Sequence, residues 1–241
     1  MRRKLAAVIL SMVLMVTVCQ PVSVEAKSYE KHFEESGKTL LKSHYRTLLD
    51  GLGEHAAIID KKKDNAFQGD VQSALLVDVT DQKVLTSKNA LGKAYPASTT
   101  KVLTALLTLE HCKLTDTVTV KKDITFHESG VVKVGLKKGD KIKIEGLLNA
   151  LLIESANDCA VVLADYIAGS EEKFADMMNE KAKELGATHC HFVTSNGLHD
   201  DDHYVTAYDL YLIFKEAIQY DAFLNIVGKA NYTLEYETAA G

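Results

Sequence analysis

The apolar residues of this chain change their spacing several times, and each change marks an element. After Met1-Arg-Arg-Lys4 comes an unbroken apolar run, Leu5 to Val18, with the basic start and short core of a secretory leader. Val24-Glu25-Ala26 places its cleavage after Ala26. From Ser28 to about Leu52, the residues Phe33, Leu40, Leu41, Tyr45, Leu48 and Leu49 recur at helical spacing, and Lys61-Lys-Lys63 to Gly69 is a polar linker. Val71 to Asp78 and Lys83 to Ser87 predict two strands, joined by turn chemistry at Thr80-Asp81-Gln82. Val102 to Leu109 is an apolar run at helix length, and Leu147 to Ile153 and Ala160 to Ile167 are two further buried helical pieces. Three short segments bounded by glycine, Val118–Val120, Val131–Val134 and Lys141–Ile144, predict strands. Ser170 caps a helix to Leu185, closed by Gly186, whose stripe of Phe174, Met177, Met178 and Leu185 is core. Thr206 and Asp209 form a capping box that opens a helix through Ile218, and Tyr232, Leu234 and Tyr236 alternate as in a strand.

Composition narrows the classes. With 241 residues, 46% of them hydrophobic, the chain can bury one large core or two small ones. Its net charge of −5, from 28 Lys and Arg against 33 Asp and Glu, comes with no long basic tract, which argues against nucleic acid as a partner. Two prolines and no tryptophan make a disordered or repeat-built protein improbable. The three cysteines after the leader, Cys112, Cys159 and Cys190, are scattered and odd in number, which fits small core residues better than a disulfide framework.

The candidate chemistry begins at Tyr95-Pro-Ala-Ser-Thr-Thr-Lys101. Ser98 and Lys101, three apart at a helix start, share one face of its first turn, and Pro96 suits the position before it. The free N–H groups and the positive end of the helix dipole disfavour an ammonium there. A neutral lysine can take a serine's proton, and a serine hydroxyl is a poor nucleophile without such a base. Alone, the spacing fits a helix cap followed by a surface lysine just as well. Ser155-Ala-Asn157, at the break between two buried helical pieces, is likewise a polar cluster in a cleft or an ordinary N-cap.

Together the two motifs point further. Ser-x-x-Lys followed by Ser-x-Asn resembles the penicillin-interacting serine enzymes. More narrowly, Ala94 to Lys101, Leu151 to Asp158, Met178 to Gly186, Asn196-Gly-Leu198 and His203-Tyr-Val-Thr-Ala207 resemble the low-molecular-weight D-alanyl-D-alanine carboxypeptidases, from about Val71 to Val227. The resemblance implies an α/β fold of the β-lactamase and penicillin-binding type, an antiparallel sheet flanked by helices with an all-helical lobe. Beyond the leader (1–26) and a helical extension and linker (27–70), both read from the residues and outside the match, it makes 71–241 a catalytic domain. It implies that Ser98 attacks the peptide bond between two D-alanines of a peptidoglycan stem peptide and that Lys101 is its base. Ser155 would relay a proton to the leaving group, and Asn157 would orient Lys101 and the substrate amide. No metal or organic cofactor is implied, β-lactams are the expected covalent inhibitors, and the expected location is outside the cytoplasmic membrane, at the cell wall.

The family's third motif, Lys-Thr-Gly on a strand, is absent from the 241 residues. Two readings follow, a chain shortened before that strand, with its C-terminal domain and membrane-binding tail, or a natural pseudoenzyme. Ending inside an alternating segment points to the first. A serine β-lactamase and a non-catalytic peptidoglycan-binding protein stay open as alternatives. Glu145-Gly-Leu-Leu-Asn149 matches a β-lactamase string but precedes Ser155-Ala-Asn157, the reverse of the order in those enzymes, and reads as an apolar helix face. His189-Cys-His191 and His199-Asp-Asp-Asp-His203 carry metal-ligand types, yet three consecutive Asp disfavour the helix that would pair the two imidazoles. A solvated loop is the expectation there.

Overall fold

The structure, a computed structural model, describes residues 67, 69–79 and 82–239. The expected leader and the helix over 28–52 lie outside these residues. The described chain divides into two units, one formed by residues up to Ala94 together with Thr206–Leu212, the other by Tyr95–Val205 and Ile213 onward.

In the first unit, β1 (Ala74–Asp78) and β2 (Lys83–Lys88) form an antiparallel hairpin. A bulge between Leu76 and Val77 shifts the register from Leu76↔Thr86 to Val77↔Val84. Of the expected turn, only Gln82 is described, with φ 51°. The Tyr208 N–H donates to the Ala90 carbonyl at 3.0 Å within the same unit. Thr206 and Asp209 form the expected reciprocal cap: Asp209 N–H donates to Thr206 Oγ1 at 3.0 Å, and Thr206 N–H to the Asp209 carboxylate at 3.0 Å.

The second unit is mostly helical. A 3₁₀ turn (Ala97–Thr100) runs into α1 (Lys101–His111), whose first eight residues, Lys101 to Thr108, are all buried. A helix buried around its whole circumference, with Lys101, Thr104 and Thr108 as its buried polar side chains, belongs at the centre of a core. α2 (Ile144–Ile153) and α3 (Asn157–Ile167) pack against it. α4 (Glu171–Glu184) is amphipathic, burying Phe174, Ala175, Met178 and Ala182. Ser170 Oγ accepts from Lys173 N–H, Glu171 and Glu172 sit in the first turn, and Gly186 closes the helix at φ 81°. α5 (Ala207–Ala217) follows the Thr206 cap, with its residues to Leu212 in the first unit and the rest in the second, and α6 (Asp221–Val227) of the second unit buries Phe223 and Ile226. A second hairpin, β3 (Thr117–Thr119) with β4 (Lys141–Lys143), turns Val118 and Ile142 inward and Thr117, Thr119, Lys141 and Lys143 outward.

Two expected strands are not strands. Among the described residues Val131–Val134 pairs with no strand: the Val134 N–H donates to the Asp158 carboxylate, and the Val132 carbonyl accepts from the Asn157 backbone and side chain. Tyr232–Tyr236 is also unpaired, and the nearest ladder contact is the single bridge Lys141↔Glu237. Of the cysteines, Cys159 is fully buried, while Cys112 and Cys190 are half-buried.

Candidate active site

Pro96 leads into the 3₁₀ turn, and Ala97 next to it holds φ at 47°, a left-handed value that costs a β-carbon-bearing residue energy. In a 3₁₀ turn residues three apart eclipse. The turn therefore stacks Ser98 directly over Lys101, leaving Ser98 exposed and Lys101 only 2% exposed.

Lys101 Nζ has three neighbours: Ser98 Oγ at 3.1 Å, Asn157 Oδ1 at 3.0 Å and the Asn196 backbone carbonyl at 2.7 Å. A carbonyl and a carboxamide oxygen can only accept. A neutral amine donates to both with its two hydrogens, and its lone pair is left facing the Ser98 hydroxyl. The Asn157 amide cannot be flipped without loss, because its Nδ2 donates to the Val132 carbonyl at 2.9 Å. Burial lowers Lys101 from its ordinary 10.5 to about 8. The adjacent Cys159 thiol would oppose this only as an anion. Burial and the Asp158 carboxylate push that thiol up, so it is neutral.

Ser155 lies in the break between α2 and α3, between the C-cap Glu154 and the N-cap Ala156, with φ at 60°. No hydrogen bond joins its hydroxyl to Ser98, Lys101 or Asn157. The structure thus gathers Ser98, Lys101 and Asn157 into one bonded group and leaves Ser155 outside it.

Two contributors had no assigned role in the sequence reading. The Asn196 carbonyl belongs to a loop fixed by Thr104 Oγ1, which donates to the Ser195 carbonyl at 2.6 Å, and by Ser195 Oγ, which donates to Glu171 at 2.6 Å. Behind the same loop, His203 is 2% exposed rather than solvated. Its Nδ1 accepts from Val193 and Thr194 N–H at 3.1 and 3.2 Å, so Nε2 carries the proton and donates to Thr100 Oγ1 at 2.9 Å. The sequence signal for this region was the resemblance of Asn196-Gly-Leu198 and His203-Tyr-Val-Thr-Ala207 to the carboxypeptidases, which gave neither residue a role. Among the described residues, no three metal-ligating side chains converge.

A model of the peptidase S11 family, described as D-alanyl-D-alanine carboxypeptidase, matches residues 60–239. The chain belongs to this family. It is 33% identical over 174 residues to a D-alanyl-D-alanine carboxypeptidase of Bacillus subtilis, covering 70% of this chain and 44% of that protein. A solved D-alanyl-D-alanine carboxypeptidase of Mycobacterium tuberculosis superposes with TM-score 0.60 at 35% identity, over 64% of this chain and 58% of the other. Penicillin-binding protein D2 of Listeria monocytogenes, solved with cefotaxime bound, gives TM-score 0.54 at 27% identity, over 61% of each chain. The chain spans about half the length of the curated relatives it matches. The fold is the penicillin-binding, DD-peptidase type, here with two short antiparallel hairpins and a helical body.

Proposed function

We propose that the protein is a serine-type D-alanyl-D-alanine carboxypeptidase acting on peptidoglycan stem peptides through an acyl-enzyme. The observation that carries this reading is the lysine whose lone pair can face only the exposed serine. Ser98 Oγ attacks the carbonyl carbon between the two D-alanines as its proton passes to Lys101 Nζ. The carbonyl oxygen becomes an oxyanion beside the Ser98 backbone N–H, near the start of the 3₁₀ turn. The C–N bond then breaks, and the proton reaches the leaving D-alanine amine from Lys101 by way of Ser155. Water, deprotonated by the same lysine, releases the shortened peptide. Asn157 holds Lys101 in register and offers its amide to the substrate backbone.

A β-lactam acylates the same serine in this reading, in keeping with the cefotaxime held by the Listeria relative. Residues 1–26 would direct the protein across the cytoplasmic membrane. Among the described residues no helix is long and apolar enough to cross a membrane. The test is the intact mass of the full-length protein after exposure to benzylpenicillin, alongside Ser98→Ala. One stable adduct on the parent and none on the variant is the expected result. Adduct on both, or no adduct on a folded parent, overturns the assignment, and rapid turnover of the penicillin would place the protein with the β-lactamases instead.

A further inference from the structure

Asp158, next to Asn157, is 1% exposed, and among the described residues no cation bonds to it. Four backbone N–H groups fill its carboxylate instead. Oδ1 accepts from Val134 and Cys159 at 3.0 Å each, and Oδ2 accepts from Gly135 at 2.7 Å and Leu136 at 3.1 Å. One of these donors, Val134, ends the segment expected to be a strand, and Gly135 and Leu136 follow it directly. Little else anchors that segment: Val132, Lys133 and Gly135 are exposed, Val132 by 51%, and only Leu136 at its end is buried. Yet the Val132 carbonyl accepts both the backbone and side-chain N–H of Asn157, each at 2.9 Å. That contact decides which atom Asn157 turns toward Lys101.

Resting on the reading above, we infer that Asp158 is a positioning residue for acylation: by gathering the backbone of residues 134–136 it places the Val132 carbonyl, which orients Asn157 and so aims the lone pair of Lys101 at Ser98. Asp158→Asn keeps the size but halves the acceptors and adds two donors facing N–H groups. The Val132 carbonyl then moves, and misplacing a reacting group by about 1 Å costs on the order of 100-fold. The effect falls on the acylation step, not on non-covalent capture.

The experiment is acylation of the full-length protein by a fluorescent penicillin over a concentration series, for the parent, Asp158→Asn, Asn157→Ala and the double variant. The limiting acylation rate of Asp158→Asn should fall about 10- to 100-fold with half-saturation nearly unchanged. Because Asp158 acts through Asn157, adding Asp158→Asn to Asn157→Ala should slow the reaction by less than about threefold further. An unchanged rate in Asp158→Asn, or two losses that multiply, overturns the inference, since a merely structural role predicts multiplication. Should Asp158→Asn fail to fold, Gly135→Ala takes its place. Gly135 has φ 92° and Gly130 φ 76°, and a methyl on either meets no atom within 4 Å, so each variant strains only the local backbone. Gly135→Ala should slow acylation about tenfold and Gly130→Ala by less than about twofold; equal rates in the two overturn the inference. If the parent is not acylated at all, the functional reading falls separately. Hydrogen exchange at the Asn157 amide then decides: protection lost in Asp158→Asn but kept in Ser98→Ala supports the clamp, and protection kept in both overturns it.

Discussion

Lys101 Nζ lies 2.7 Å from the Asn196 carbonyl, its shortest polar contact. The next residue, Gly197, has φ 82°, and a β-carbon there would overlap the Ala97 carbonyl, one residue before Ser98. Backbone faces backbone at this point, so neither side can yield cheaply. Gly197→Ala should therefore slow acylation by about 100-fold or more, because the turn that displays Ser98 and the carbonyl that orients Lys101 must both move. Asn196→Ala keeps the carbonyl and loses only the Oδ1 contact to Leu198 N–H at 2.9 Å. Its rate should stay within about tenfold of the parent, since one such bond contributes ~1 kcal/mol. Equal losses in the two variants would show that the side chain, not the backbone, serves the site.

A second expectation concerns pH. Burial sets Lys101 at about 8, so only a minority is neutral at pH 7. The acylation rate should rise with pH and level off above about 8. Because the folded value lies below the ordinary 10.5, the unfolded chain binds more protons between those limits. Lys101 therefore costs stability at neutral pH, and this cost shrinks as pH rises from about 8 towards 10.5. Lys101→Met should remove acylation while raising the melting temperature near pH 7. A lysine variant that is inactive and also less stable would contradict the burial cost.

The fold and the site were legible in unequal parts. Ser98, Lys101 and Asn157 stood out because their chemistry lies in side chains at short spacings, and the caps at Ser170 and Thr206 are read the same way. The carbonyls of Val132 and Asn196 have no letter of their own, so the two acceptors that orient Asn157 and Lys101 could not be read. Val131–Val134 has strand composition, yet its Val134 N–H donates to Asp158 and not to another strand. α6, at seven residues, is too short to establish a period. His203 looked solvated from its three preceding aspartates, and only the folded loop turns it inward.

Ser155 separates conformation from chemistry. Its φ of 60° is one that glycine adopts freely and alanine does not. Ser155→Gly and Ser155→Ala both lose the hydroxyl, so both should lose the proton relay and slow peptide release to a similar degree. Their stabilities should differ, with Ser155→Gly about 0.5–1 kcal/mol more stable than Ser155→Ala in urea unfolding. Equal stabilities would mean the strained backbone relaxes in the variants.

His203 should make the protein acid-labile. Burial lowers its imidazole from 6.5 to about 4; the Asp200 carboxylate raises it weakly, and His191 and His199 push it down further. The folded state therefore holds His203 neutral where the unfolded chain protonates it. Its contribution is complete above pH 6.5 and is lost as pH falls towards 4, a change on the order of 3 kcal/mol. Protonation at Nδ1 would also set a donor against the Val193 and Thr194 N–H groups, which now donate to it. The melting temperature of the parent should drop steeply between pH 6.5 and 4. His203→Gln cannot take up a proton, so it should start lower at pH 7, having lost the fit of the ring, and fall less over the same range. Parallel pH curves for the two proteins would move the acid sensitivity to the carboxylates and leave His203 a purely geometric link between Thr100 and the loop behind Lys101.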